Sequence, residues 1–175
     1  MLRYHDEEWG EPTHEEQKLF EFLALEAAQA GLSWRTVLHK REAFNKAFDG
    51  FDPAHVATYG DAEVQTMLQD AGIIRNRLKL HSIINNAKRF LDLQSEFGSF
   101  GDYLWGFIGG SPLPRPEPLS ADMVPATSAE SDALSKDLKQ RGFKFVGSTI
   151  VYAYMQSVGM VNDHVRGCFR APSAD

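Results

Sequence analysis

The stretch Gln69-Asp70-Ala71-Gly72-Ile73-Ile74-Arg75-Asn76-Arg77-Leu78-Lys79 decides how this chain is read. A glycine closes one helix, two isoleucines anchor the turn, and a new helix starts near Asn76. That helix opens with free backbone N–H groups and the positive end of its dipole where Arg75, Arg77 and Lys79 cluster. Such a hairpin of helices can hold a phosphate backbone without reading base sequence. The same charges would also suit a solvated helix face.

Outward from this hairpin, nearly everything reads as helix. Thr13 and Glu16 have capping-box spacing and predict a helix to about Ala30, stopped by Gly31. Ser33 caps a second helix over 34–48, Asp52-Pro53 starts a short third, and Asp61 caps a fourth that Gly72 ends. Leu80, Ile83, Ile84, Ala87 and Leu91 recur at helical spacing and predict a long helix over 76–96. A short aromatic helix over 100–108 follows. Five prolines make 109–126 a loop. Thr127 and Glu130 repeat the capping spacing before a helix ending at Gly142. Residues 143–159 read as a last helix, although Ile150, Val151, Tyr152 and Tyr154 favour strands, because no partner strand is evident. The expectation is an all-α fold forming a single domain over 1–175.

Composition narrows the function classes. With 175 residues, 43% hydrophobic and 24% charged, the chain can bury one core and is not a disordered tail. One cysteine, Cys168, excludes an internal disulfide framework. No apolar run reaches the roughly 18–20 residues of a membrane helix, and the charged first residues do not resemble a secretion signal. The expectation is a soluble cytoplasmic protein, no membrane partner and a monomer. The net charge of −6 argues against coating nucleic acid by bulk attraction. That charge is concentrated in residues 1–30, whereas 73–90 carries five bases and no acid. A local patch of this kind can attract phosphate on an acidic protein.

Three sets of residues could carry chemistry. Glu26 falls in line with Leu19, Phe22, Leu23 and Ala30 on the helix over 15–30, so a carboxylate shares the apolar stripe. Burying an unpaired charge costs several kcal/mol, which calls for a bound cation, a buried arginine or a capping role. Tyr4, Trp9 and Trp34 lie near it in sequence and could equally be core. His164 and Cys168, at i and i+4, could face one metal ion on a helical turn, with His5 as a distant third ligand.

Together, Tyr4 to Gly10, Leu25 to Trp34, Gln69 to Arg77, Ser128 to Gly147 and Val161-Asn162-Asp163-His164-Val165-Arg166-Gly167-Cys168 resemble the bacterial 3-methyladenine DNA glycosylase I family, in order and over nearly the whole chain. The resemblance implies the helix-hairpin-helix glycosylase fold and excision of 3-methyladenine from alkylated double-stranded DNA. It implies that Glu26 is the catalytic and base-recognising carboxylate, with Tyr4 and Trp34 sandwiching the flipped base and Trp9 lining the pocket. Gly31 and Leu32 would lie at the gap left by flipping, and Gly72, Arg75, Arg77 and Lys79 on the backbone. His5, His164 and Cys168 would hold a structural zinc. A Cys-Gly-Trp segment that opens the family, with a fourth zinc ligand and a tryptophan, is not in this chain, where Met1, Leu2 and Arg3 precede Tyr4.

The expected chemistry fits these residues. A positively charged methylated adenine already has a weak glycosidic bond, so recognition and flipping matter more than a strong general base. The family generally lacks the aspartate that helix-hairpin-helix glycosylases place after their hairpin, and this chain offers no strong candidate for one; Asp163 is the nearest, and its neighbour His164 reads as a metal ligand. Other readings are a non-catalytic helix-hairpin-helix DNA-binding module and a zinc-stapled structural domain. A cleft between residues 15–34 and Tyr4 that admits a purine separates the first reading from these.

Overall fold

The computed structural model describes residues 1–114 and 120–172, and the described residues contain helices and no strand. In order they are α1 (Leu2–Glu7), α2 (Glu16–Gln29), α3 (Trp34–Ala47), α4 (Pro53–Val56), α5 (Asp61–Met67), α6 (Arg77–Phe97), α7 (Phe100–Gly106), α8 (Ala129–Gln140) and α9 (Ser148–Ser157). Single 3₁₀ turns occupy Asp49–Phe51 and Ala121–Met123. Part of the expected proline-rich loop, residues 115–119, lies outside the described residues.

The centre of the molecule is α2. Leu19, Phe20, Phe22, Leu23, Ala24, Leu25, Glu26, Ala27 and Ala28 are all buried. Helices α3, α6, α7 and α9 pack around it. This differs from the amphipathic reading of the sequence: the second half of α2 is covered on all sides, as an all-round apolar helix must be. Phe20 meets Phe51 and Phe90 edge-on, and Phe90 stacks on Phe100 with centroids 4.1 Å apart. These rings fill the space between α2, α6 and α7.

Several helix starts differ from the sequence expectation. The Thr13–Glu16 box does not form: Thr13 Oγ1 accepts from the Glu15 N–H, and Glu15 is the N-cap. Glu16 instead caps α7 from outside, its carboxylate accepting the N–H groups of Phe100 and Gly101 at 2.9 and 2.8 Å. Gly60, rather than Asp61, precedes α5, and the Glu63 carboxylate accepts its N–H at 2.7 Å. Ser128 and Ser131 form the reciprocal cap of α8 in place of Thr127 and Glu130. The last helix begins at Ser148, not 143, because Phe145 turns to φ 55° and Asn86 holds both the N–H and the carbonyl of Lys144. Ser33, Asp52 and Asn76 cap their helices as expected.

The two ends of the described chain meet. Gly10 N–H donates to the Gln156 carbonyl at 3.0 Å and Thr13 N–H to the Val158 carbonyl at 3.2 Å. Where these strands of backbone cross, a side chain at Gly159 would overlap the backbone of Glu11 and Pro12, so only glycine fits. The guanidinium of Arg170 pairs with Glu11 across the same junction.

Candidate active site

The crossing of the ends places α1 over one end of α2 and α9, and a cavity of about 230 Å³ opens between them. Tyr4 and Trp9 line it from the N-terminal segment, Glu26 and Gln29 from α2, Trp34 from the start of α3, and Ala153, Gln156 and Ser157 from α9. All four pocket residues expected from the sequence, Tyr4, Trp9, Glu26 and Trp34, are therefore brought together. Gln29, Gln156 and Ser157 were missed. Their signal was present as polar residues within otherwise apolar helices, but polar residues at helix ends are too common to single out.

Glu26 is 3% exposed. Ser157 Oγ donates to its Oε1 at 2.7 Å, and the Tyr4 hydroxyl donates to Ser157 Oγ at 3.1 Å. Its second oxygen, Oε2, is buried with no partner among the described residues. Burial raises the carboxyl to about 7, against the smaller opposing effect of the Ser157 hydrogen bond. Among the described residues no arginine or lysine pairs with it, so the salt-bridge alternative is not realised there. The acid lies in an aromatic pocket where a hydrogen-bond donor or a cation would satisfy it.

Tyr4 and Trp34, expected on either side of the base, lie beside each other, with centroids 5.5 Å apart and planes tilted by 51°. A flat base stacked between them has to part the rings.

The turn between α5 and α6 uses its residues differently from the sequence expectation. Helix α5 ends at Met67, and turns run from there to Ile73, so Gly72 does not end the helix. Gly72 is required for another reason: a Cβ there would lie 2.9 Å from Ala43 Cβ on α3 and 2.9 Å from Asp70 Oδ1, which accepts the Gly72 N–H. Arg75 and Arg77 are exposed. Lys79 is not available to a phosphate. It is 7% exposed, and its ammonium donates to the carbonyls of Ala28 and Ala30 at 2.9 and 2.5 Å, at the end of α2. Its chain faces inward because α6 packs its first turn against α2. Lys79 thereby fixes the turn that carries Gly31 and the exposed Leu32, next to the hairpin. Through Lys79 the first turn of α6 is tied to the end of α2, just before Leu32.

His5, His164 and Cys168 also converge, with one ligand atom from each within 4.8 Å of the others. The expected helical turn is absent, since residues 161–170 are loop and turn, and the loop folds back toward α1 instead. His5 Nε2 lies 3.5 Å from Cys168 Sγ. His5 Nδ1 pairs with Asp6 Oδ1 at 2.7 Å and His164 Nδ1 with Asn162 Oδ1 at 2.8 Å. Each histidine thus has its Nδ1 side held by an oxygen, the usual arrangement of imidazoles that bind metal through Nε2. His164 Nε2 is buried and has no partner among the described residues. The donor set fits a zinc ion. Trp9 packs edge-on against His164, with centroids 4.6 Å apart, and joins this cluster to the pocket.

The family model described as methyladenine glycosylase matches residues 1–171. The chain belongs to the methyladenine glycosylase family. A similar relative is DNA-3-methyladenine glycosylase 1 of Escherichia coli (strain K12), 48% identical over 167 residues that cover 95% of this chain and 89% of the relative. A crystal structure of 3-methyladenine DNA glycosylase I superimposes with a TM-score of 0.93 at 48% identity, covering 98% of this glycosylase and 93% of that chain. A second solved structure, a tyrosine-to-phenylalanine variant in complex with 3-methyladenine, gives 0.94 at 35% identity, covering 98% and 92%. The glycosylase has the helical fold of these enzymes.

Proposed function

We infer that this glycosylase acts in base-excision repair, hydrolysing the N-glycosidic bond of 3-methyladenine in alkylated double-stranded DNA. The observation that carries this reading is Glu26: a buried carboxylate with one oxygen unpartnered, in an aromatic cavity. A methylated purine still attached to the sugar is a cation with an exocyclic amine. Flipped into the cavity, it gives Glu26 both a charge and a donor, and the rings of Tyr4, Trp9 and Trp34 suit a flat cation. When the C1′–N9 bond breaks, its electron pair goes to the base, which leaves neutral. Water adds to C1′ and gives up a proton. Because the leaving group is already activated, holding the flipped nucleotide supplies much of the catalysis.

The edge formed by Leu32 and the α5–α6 hairpin suits the duplex. In this reading the pair is a helix-hairpin-helix: Arg75 and Arg77 face phosphates, Gly72 lets the hairpin seat against α3, and Gly31-Leu32 occupies the space the base vacates. Zinc on His5, His164 and Cys168 would tie α1 to the C-terminal loop and so hold Tyr4 over the cavity. Work on genomic DNA and the free thiol of Cys168 support a cytoplasmic location. Among the described residues no helix is long and apolar enough to cross a membrane.

The test is release of free 3-methyladenine from alkylated duplex DNA, separated chromatographically, with and without the protein. Release above the spontaneous rate is expected. Binding of duplex without release would favour the non-catalytic DNA-binding module.

A further inference from the structure

Between α8 and α9 the chain reads Phe143-Lys144-Phe145-Val146, three apolar residues in four. Phe143 and Val146 are buried, but Phe145 is 36% exposed. Its backbone turns to φ 55°, a region that costs a residue with a Cβ and that glycine or asparagine enters readily. The turn is held from inside the protein. Asn86, buried on α6, grips Lys144 by both its N–H and its carbonyl, and Asn85 donates to the Gly142 carbonyl at 2.9 Å. The fold thus maintains a strained turn that leaves an aromatic ring at the surface, the kind of outlier that marks functional sites.

Phe145 shares a concavity of about 430 Å³ with Leu78, 72% exposed, and with His81, Ser82, Asn85 and Lys144. No carboxylate lines it. Asp61, an acid beside His81, pairs with that ring's Nε2 at 3.5 Å. Lys144 is exposed. Leu78 directly follows Arg77 in the first turn of α6, so the concavity begins where the exposed arginines of the hairpin end.

We propose that this concavity is a second DNA-contact surface, in which a deoxyribose packs on Phe145 and Leu78 and the adjoining phosphate meets Lys144. The proposal rests on the glycosylase reading and extends the duplex contact beyond Arg75 and Arg77, to residues outside the base cavity. A nucleic-acid backbone alternates a sugar that has an apolar face with an anionic phosphate. The concavity offers the complementary pair: apolar side chains with a cation beside them and no lining acid to repel the phosphate. An apolar partner would need only Phe145 and Leu78; the lysine and the neighbouring arginines favour a polyanion.

The experiment measures binding of a short fluorescein-labelled duplex by anisotropy between about 50 and 200 mM salt. Lys144→Ala should lower the slope of log affinity against log salt by about 0.9. Phe145→Gly should lower affinity roughly three- to tenfold at every salt concentration and leave the slope unchanged, the scale of covering part of one aromatic ring. Glycine accepts the turn without strain, so this variant should melt near the wild type. Both variants should bind free 3-methyladenine as the wild type does, because other residues line the base cavity. An unchanged slope in Lys144→Ala, an unchanged duplex affinity in Phe145→Gly, or a matching fall in free-base affinity in either would overturn the proposal. If Phe145→Gly does not melt cooperatively, Phe145→Asn, which also enters the left-handed region, takes its place. Failure of the wild type to release 3-methyladenine from alkylated DNA would instead remove the glycosylase reading; release, with both variants binding duplex as the wild type does, removes only this surface.

Discussion

Ser157 donates its hydroxyl to one oxygen of Glu26 at 2.7 Å, while the other oxygen of that buried carboxylate has no partner among the described residues. The pair is therefore half of a recognition site: satisfied enough to hold the side chain still, unsatisfied enough to favour a donor.

Glu26→Gln is expected to keep the fold and lower the rate of 3-methyladenine release by about 10²-fold or more, the usual scale for an electrostatic contact to the reacting group. Stability supplies a second readout. The folded-state value of about 7 lies above the ordinary carboxylate range, so the folded protein holds this proton between about 4.5 and 7 when the unfolded chain has lost it. Stability from the group is fully present below about 4.5 and is lost as pH rises through 7, a change on the order of 3 kcal/mol. Melting curves from pH 5 to 8 should show the wild type losing stability relative to Glu26→Gln. Parallel curves would mean that the carboxylate is solvated.

The hairpin and Lys79 are separable by salt. Arg75→Ala and Arg77→Ala should each lower the slope of log affinity against log salt by about 0.9. Lys79→Met should leave the slope unchanged and instead destabilise the fold by roughly 1.5–3 kcal/mol, because it removes a charged donor from the carbonyls of Ala28 and Ala30. A loss of slope in Lys79→Met would return that lysine to the DNA interface.

Gly72→Ala is expected to cost about 1–3 kcal/mol by overpacking against Ala43. Ala43→Gly opens the opposing space, so the double variant should recover much of the loss, a coupling that thermal melting of the four proteins measures. Additive losses would place the strain at Asp70 instead.

Chelation addresses the metal. With zinc bound at His5, His164 and Cys168, a chelator should lower the melting temperature of the wild type and leave that of His164→Ala unchanged, while metal analysis reads a lower zinc content in the variant. Equal responses in the two proteins would exclude a structural role for the cluster.

The helices and their order were legible because α3, α4 and α6 carry strong local signals: Ser33, Asp52-Pro53 and Asn76 each cap the helix that follows. The starts of α2 and α8 were not, since the acid at Glu16 found better partners in the N–H groups of α7, a contact 84 residues away that local pattern cannot report. The site shows the same division. Glu26 stands out as an acid among apolar residues, and the family resemblance supplied Tyr4 and Trp34. Lys79 looked like part of a basic cluster because sequence gives charge without direction. Only the packing of α6 on α2 turns that side chain inward.

The backbone crossing at Gly159 also governs when the pocket can exist during synthesis. The Tyr4–Ser157 and Ser157–Glu26 hydrogen bonds span 153 and 131 residues. Contacts of such separation close very long loops and form late. A ribosome that has made α1, α2 and α3 has released Tyr4, Glu26 and Trp34, but α9, which orders two of them, is not yet translated. A nascent or truncated copy thus carries the recognising acid without the frame that aims it, and base-binding ability arrives in one late step, when the crossing closes.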